Sequence, residues 1–160
     1  DIEGVISYWK KWAKKKDKIV KKFEGKSIDL KGLTINDGMF PPVIKKLMDG
    51  LKEDGRKRGL SILLSFFSSL ELPKEFIEEK VFEWNKKNYK PLRDGYVKSQ
   101  IDWAIRNKRL PPNYDKPIYK ELGILSETDG LKNPINYTIR EAMRRKGKVE
   151  RAGKKEDGKK

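Results

Sequence analysis

The chain has 160 residues, 36% of them hydrophobic and 39% charged, and a formal net charge of +15. That length matches one domain burying roughly 70% of its extended-chain surface, and the mix of apolar and charged residues fits neither a disordered polymer nor a membrane protein. With no Cys and no His, the sequence excludes disulfides, thiol nucleophiles, Cys-ligated zinc, iron–sulfur clusters and imidazole acid–base chemistry.

From Val5 to Phe23, the apolar residues Val5, Tyr8, Trp9, Trp12, Ile19 and Phe23 recur at helical spacing among lysines, which predicts an amphipathic helix over residues 5–23. Residues 1–26 carry nine Lys against four acids. No secretory or transit signal is recognisable at Asp1. Gly25, Gly32, Asn36, Asp37 and Gly38 punctuate a short Leu30–Ile35 stretch, and Pro41 and Pro42 precede a helix expected from Val43 to about Glu53.

Asp54 is expected to cap the next helix, running from Gly55 to about Leu70. Its residues Leu60, Ile62, Leu63, Leu64, Phe66, Phe67 and Leu70 imply burial on nearly all sides, which makes it the central core helix; the apolar stretch Leu60–Leu70, with four serines and about half the length of a bilayer span, is no membrane segment. Pro73 opens a further helix with a Phe76, Ile77, Val81 and Trp84 stripe, ending among Asn85, Asn88 and Pro91. Asp94 and Gly95 initiate another from Tyr96 to about Asn107. A loop spans Leu110–Pro117, and a last helical piece is expected over Ile135–Met143. Nothing alternates with period two, so the fold class reads as all-α, mainly helical with long irregular connections. The expected organisation is one helical domain over residues 1–143, followed by a basic, flexible tail over residues 144–160, where nine Lys or Arg face three acids.

Two local patterns bear on function. Gly55-Arg56-Lys57-Arg58-Gly59 places three cations in the first turn of a helix, against the dipole, which favours acids there by roughly 0.3–1 kcal/mol each. Free N–H groups at such a terminus, joined by guanidinium groups, form a seat for a phosphate; the alternative is a set of solvated cations paired with Glu53 and Asp54. In the helix after Asp94, Val97, Ile101, Ala104 and Ile105 form the core side, while Tyr96, Ser99, Trp103 and Arg106 share another stripe. Such a stripe suits stacking on a base or ribose, hydroxyl hydrogen bonds and a phosphate contact, although aromatic residues at helical spacing also serve packing. Lys45 and Lys46 can converge on the same cleft or remain solvated. A carboxylate-only metal site or a Lys-based mechanism remains formally open, but no spaced constellation argues for either, so no catalytic residue, metal or cofactor is expected.

In order along the chain, Phe40-Pro-Pro-Val-Ile-Lys-Lys-Leu47, Asp54-Gly-Arg-Lys-Arg-Gly-Leu60, Val81-Phe-Glu-Trp-Asn85, Pro91-Leu-Arg-Asp-Gly-Tyr96, Leu110-Pro-Pro-Asn-Tyr-Asp115, Gly123-Ile-Leu125 and Lys132-Asn-Pro-Ile-Asn-Tyr137 resemble phrases of the C-terminal iron–sulfur domain found in the large subunit of archaeal and eukaryotic DNA primases. The resemblance covers most of residues 40–137. Where the family supplies its cluster ligands as cysteine, this chain has Val43, Tyr114, Leu125 and Leu131, which are expected to fill the vacated volume as apolar core. The chain is thus similar to the cluster-less third subunit of archaeal primases, regarded as derived from such a domain.

The resemblance implies a non-catalytic subunit of a nucleotidyltransferase that contacts the primase catalytic and large subunits, works on a DNA template with an RNA or DNA primer, and holds the initiating nucleoside triphosphate. By position, Arg56 becomes the phosphate-binding arginine, Lys46 and Arg58 additional phosphate contacts, Tyr96, Ser99 and Trp103 contacts to sugar or base, and Lys98 and Arg106 further candidates. It also implies a cytoplasmic, replication-associated location. A structural scaffold of the primase complex and a sequence-independent nucleic-acid clamp are the alternatives.

Overall fold

A computed structural model describes residues 2–7, 35 and 37–158. The chain is mostly helical, and no strand occurs among the described residues. Residues 2–7 are helical and exposed; the remainder of the expected 5–23 helix, with Tyr8, Trp9 and Trp12, lies outside the described residues, as does most of Leu30–Ile35. After a 3-10 turn at Asp37–Met39 come α1 (Pro42–Met48), α2 (Arg56–Ser69), α3 (Lys74–Lys87), α4 (Asp94–Asn107), the single turn α5 (Ile118–Glu121) and α6 (Pro134–Asp157). No helix among the described residues is long and apolar enough to cross a membrane.

The core forms around α2. Leu60, Ile62, Leu63, Leu64, Phe66 and Phe67 are all buried, as their all-round apolar pattern predicts. Phe66 meets Phe40 edge-on with ring centroids 5.4 Å apart, and Phe67 meets Phe76 of α3 in the same way at 6.0 Å. Such edge-to-face pairs align the positive ring edge with the negative face of its neighbour. Gly59 lets α1 and α3 approach closely: a Cβ there would lie 2.9 Å from Leu51 and 3.2 Å from both Leu47 and Trp84. Trp84 is buried and donates its indole N–H to the Leu47 carbonyl at 2.8 Å. It is therefore a core residue that also satisfies the last turn of α1.

Helices α2 and α4 lie side by side and run in the same direction, because Lys57 meets Tyr96 near their starts while Ser65 and Ala104, farther along, line one groove. α3 runs between them in sequence and opposite in direction. Its start is tied to the later part of α4 by a Lys74–Asp102 ion pair at 3.0 Å. At its other end Asn85 clamps the connection to α4: its amide donates to the Leu92 carbonyl and its carbonyl accepts from the Leu92 N–H, both at 2.8 Å. On the far side, Thr138 of α6 donates to the Met39 carbonyl at 3.0 Å, and Asn133 starts α6 by accepting the Ile135 N–H at 3.1 Å.

Several boundaries differ from expectation. α1 ends at Met48, not near Glu53; Gly50 adopts φ +95°, and a side chain there would strike the Lys87 backbone, so the chain turns away. The residue capping α2 is Gly55, in the left-handed region at φ 118°, and not Asp54. Asp54 accepts the Gly55 N–H at 2.8 Å instead, which turns the chain just before the helix. α4 begins at Asp94 itself, whose carboxylate suits the positive end of the dipole. The last helix does not stop at Met143 but continues to Asp157, through the basic stretch expected as a tail. Its Lys, Arg, Glu and Ala residues are good helix formers, and the packed first turns supply the costly nucleus.

Because Asn85 satisfies two buried backbone groups of Leu92, Asn85→Ala orphans both, each at about 1–3 kcal/mol. Urea unfolding is expected to show a stability loss of at least about 2 kcal/mol with an unchanged m-value.

Candidate functional site

The first turn of α2 contains no acid and receives no side-chain cap. Its unsatisfied N–H groups therefore face the space beyond Gly55, and the helix dipole adds positive potential there. The left-handed geometry at Gly55 is required: a Cβ would sit 2.5 Å from the Leu122 side chain and in a backbone region other residues rarely adopt. Gly55 thus does two things at once. It points the chain into the helix and lets α5 approach the helix start.

The three cations that follow diverge by successive steps of about 100° around the helix. Arg56, half-buried, donates to the Lys90 carbonyl and ties the connection after α3 to the start of α2. Lys57 lies over the Tyr96 ring of α4, 5.2 Å from its centroid. Arg58 reaches Glu121 of α5 at 2.9 Å; both side chains are about half exposed (50% and 54%), so the pair contributes little. In place of the alternative pairing with Glu53 and Asp54, these cations contact three separate parts of the fold.

Around this turn the structure gathers Arg56, Lys57, Tyr96 and the backbone of Lys90, with the exposed Tyr89 beside Lys90 at 5.9 Å from its ring. Asn88 holds the same connection by accepting the Leu51 N–H at 2.7 Å, and its buried amide nitrogen has no hydrogen-bond partner. Tyr89 and Lys90 were not legible in sequence. They follow α3 by only two and three residues, and only the tertiary bond from Arg56 brings them to the start of α2.

The remaining expected site residues are dispersed. Ser99 is exposed and its hydroxyl donates to the Tyr96 carbonyl at 2.8 Å, while Lys98 and Arg106 are exposed on α4. Trp103 lies two turns beyond Tyr96, roughly 10 Å along α4. There it lines a groove of about 260 Å³ with Ser61, Leu64, Ser65, Gln100 and Arg109. The Arg109 guanidinium sits 4.8 Å from the Trp103 ring centroid, a favourable cation–π distance. The groove's serines are less available than their number implies, since Ser65 donates to the Ser61 carbonyl at 2.6 Å and Ser68, which also lines it, to that of Ser65 at 3.4 Å. Lys46 is exposed on α1, and Lys45 donates to the Gly38 carbonyl at 3.3 Å, toward the 3-10 turn.

The four positions aligned with cluster ligands do not form one apolar core. Val43 is fully buried, but Leu125 is 44% exposed and Leu131 is half-buried. Tyr114 is half-buried and donates its backbone N–H to the Lys132 carbonyl at 2.9 Å, with its ring 5.7 Å from that of Tyr119. Tyr119, fully buried, donates its hydroxyl to the Pro112 carbonyl. The large buried ring in this region therefore comes from Tyr119, which no motif marked, and backbone pairing rather than side-chain volume orders the Leu125 and Leu131 segments. No group of three or more Asp or Glu suited to a metal ion occurs among the described residues.

Comparison with known proteins finds no matching family, no matching curated protein and no matching solved structure.

Burial, aided by the nearby Asp129 carboxylate and Tyr137, pushes the Tyr114 hydroxyl up to about 12, and burial raises that of Tyr119 as well. Between the ordinary tyrosine value of 10.0 and about 12 the unfolded chain releases these protons while the folded chain keeps them. Stability from this pair is therefore complete below pH 10 and declines as pH rises through that window. Thermal unfolding across it should show the decline, and Tyr114→Phe should make the profile shallower.

Proposed function

We propose that this chain is a non-catalytic, cluster-less accessory subunit of a DNA primase, of the PriX type, which holds the 5′ triphosphate of an initiating nucleotide or primer. In this reading the fold is that of the C-terminal domain of the large primase subunit, without its cluster. The supporting observation is the first turn of α2, uncapped and free of acids, with Arg56 and Lys57 flanking it and the Tyr96 ring under Lys57. An uncapped helix start binds a phosphate through its N–H groups, and neighbouring cations add charge-assisted contacts. In this reading the ring of Tyr96, beside Lys57, meets a sugar or base adjoining that phosphate.

The order of motifs along the chain adds the polymerase context: the partners are the primase catalytic and large subunits, a DNA template and the nascent primer. Bond formation and its metal ions then belong to the catalytic partner. This chain contributes position, because a nucleotide anchored by its triphosphate reacts as part of a local pair rather than through a two-body encounter. Lys46, Arg58, Lys98, Ser99, Trp103 and Arg106 have weaker support: Arg58, Ser99 and Trp103 are engaged elsewhere, and Lys46, Lys98 and Arg106 are simply exposed.

A scaffold role is the second reading, and a specific observation favours it: Arg56 is already engaged with the Lys90 carbonyl and Arg58 with Glu121. In a scaffold these bonds simply brace α2 against its neighbours.

Titration of the chain with a nucleoside triphosphate separates the two. The nucleotide reading expects saturable binding that Arg56→Ala weakens by roughly 10-fold, the scale of one lost charge-assisted contact of about 1.5 kcal/mol. In the assembled primase the same variant should lower dinucleotide synthesis while sparing extension of a preformed primer. Unchanged binding and initiation in a variant that retains its helical circular dichroism leaves the scaffold.

A further inference from the structure

The second half of α6 carries a feature that the nucleotide reading does not use. Residues 144–157 contain seven Lys or Arg against three acids, and they are helical. Every residue from Lys148 to Lys155 is exposed, so this part of the helix projects from the core instead of packing on it. Arg140, Arg144, Lys148, Arg151 and Lys155 are spaced four, four, three and four residues apart. At 100° per residue this spacing keeps all five within a narrow stripe about 22 Å long.

The inner end of the stripe is anchored. Arg140 pairs with Asp129 at 2.8 Å and lies over the Tyr137 ring, and Arg144 pairs with Glu141 at 3.3 Å. The outer end, Lys148, Arg151 and Lys155, is exposed, and no ion pair among the described residues engages it. Like charges aligned at i, i+3 and i+4 repel one another, so a straight row of cations is locally unfavourable unless a polyanion completes it. The other faces hold Gly147, Val149, Ala152 and Gly153, too little apolar surface for a helix that lies in a membrane interface.

We propose that the outer stripe of α6 is a docking surface for the phosphate backbone of double-stranded nucleic acid. Charge complementarity selects this occupant. A duplex presents about one negative charge per 1.7 Å of axis, denser than a single strand, and its rigid phosphate rows can meet a rigid row of cations without prior ordering. The contacts engage phosphates alone, so binding is independent of base sequence. This inference stands apart from the nucleotide reading, since it involves neither Arg56 nor Tyr96.

The test uses the full chain and a short mixed-sequence DNA duplex, with fluorescence anisotropy followed over a salt titration. Lys148→Ala/Arg151→Ala/Lys155→Ala is expected to reduce the slope of log affinity against log salt by about 2 to 3 and to weaken binding on the order of 10-fold or more. A control that removes equal charge elsewhere, Lys86→Ala/Lys87→Ala/Lys120→Ala, should change the slope much less. Ala152→Pro keeps every charge but breaks the helix, and should bring affinity down toward that of the stripe variant. Equal effects of the two triple variants would assign binding to net charge, and full binding by Ala152→Pro would assign it to an irregular polycation; either result overturns the proposal. So would equal or tighter binding of the single strand, or competition by polyglutamate of matched charge as effective as that by the duplex. The duplex carries no 5′ triphosphate, so the outcome here does not depend on the fate of the nucleotide reading.

Discussion

A helix that is apolar on nearly every side has to be enclosed, and the enclosure of α2 governs the rest of the molecule. Burying Leu60, Leu63, Phe66 and Phe67 contributes on the order of 1.5–3 kcal/mol for each side chain. A cation against the dipole costs roughly 0.3–1 kcal/mol. The core term is several times larger, so the position of α2 is decided by its apolar residues, and Arg56, Lys57 and Arg58 are carried to the surface at its start. α1, α3 and α4 supply the enclosing surfaces, with Phe40 and Phe76 interlocking with the Phe66–Phe67 pair.

The start of α2 is where local and global preferences disagree. Gly55 in a left-handed conformation, no cap, no acid and three cations amount to a helix terminus built against its own preferences. Each cation finds a different neighbour: a backbone carbonyl, an aromatic face and a carboxylate. These contacts relieve the unfavourable charge in part, but they leave the N–H groups of the first turn without a side-chain acceptor. A functional terminus and a braced one differ in what occupies that last position.

In the connection from Leu110 to Asn133, side-chain volume matters less than backbone pairing. Asn133 donates to the Pro111 carbonyl at 2.7 Å and to Asn113 at 3.0 Å, while the Ile124 and Leu125 N–H groups both donate to the Tyr119 carbonyl, at 3.0 and 3.1 Å. These bonds order a long segment that has only the single turn α5 of its own. A buried tyrosine then provides its apolar centre, and polar satisfaction by the Pro112 carbonyl lets that ring be buried completely.

The sequence by itself determined the helical class, the central helix, the core stripes of α3 and α4, and the cationic start of α2. Each is written in local terms: the nearly all-round apolar run of Leu60–Leu70, the alignment of Val97, Ile101 and Ala104, and the Gly55–Arg58 run. Only the tertiary structure decided where α1 stops, since Gly50 turns under the Lys87 backbone 37 residues away in sequence. It also set Trp103 in a groove with Arg109 and the serines of α2, placed Lys90 at Arg56, exposed Leu125 and extended α6 through the basic residues to Asp157. Side-chain periodicity reports which face of an element is apolar. It is silent on which neighbour meets the polar face, because that follows from the packing of helices distant in the chain.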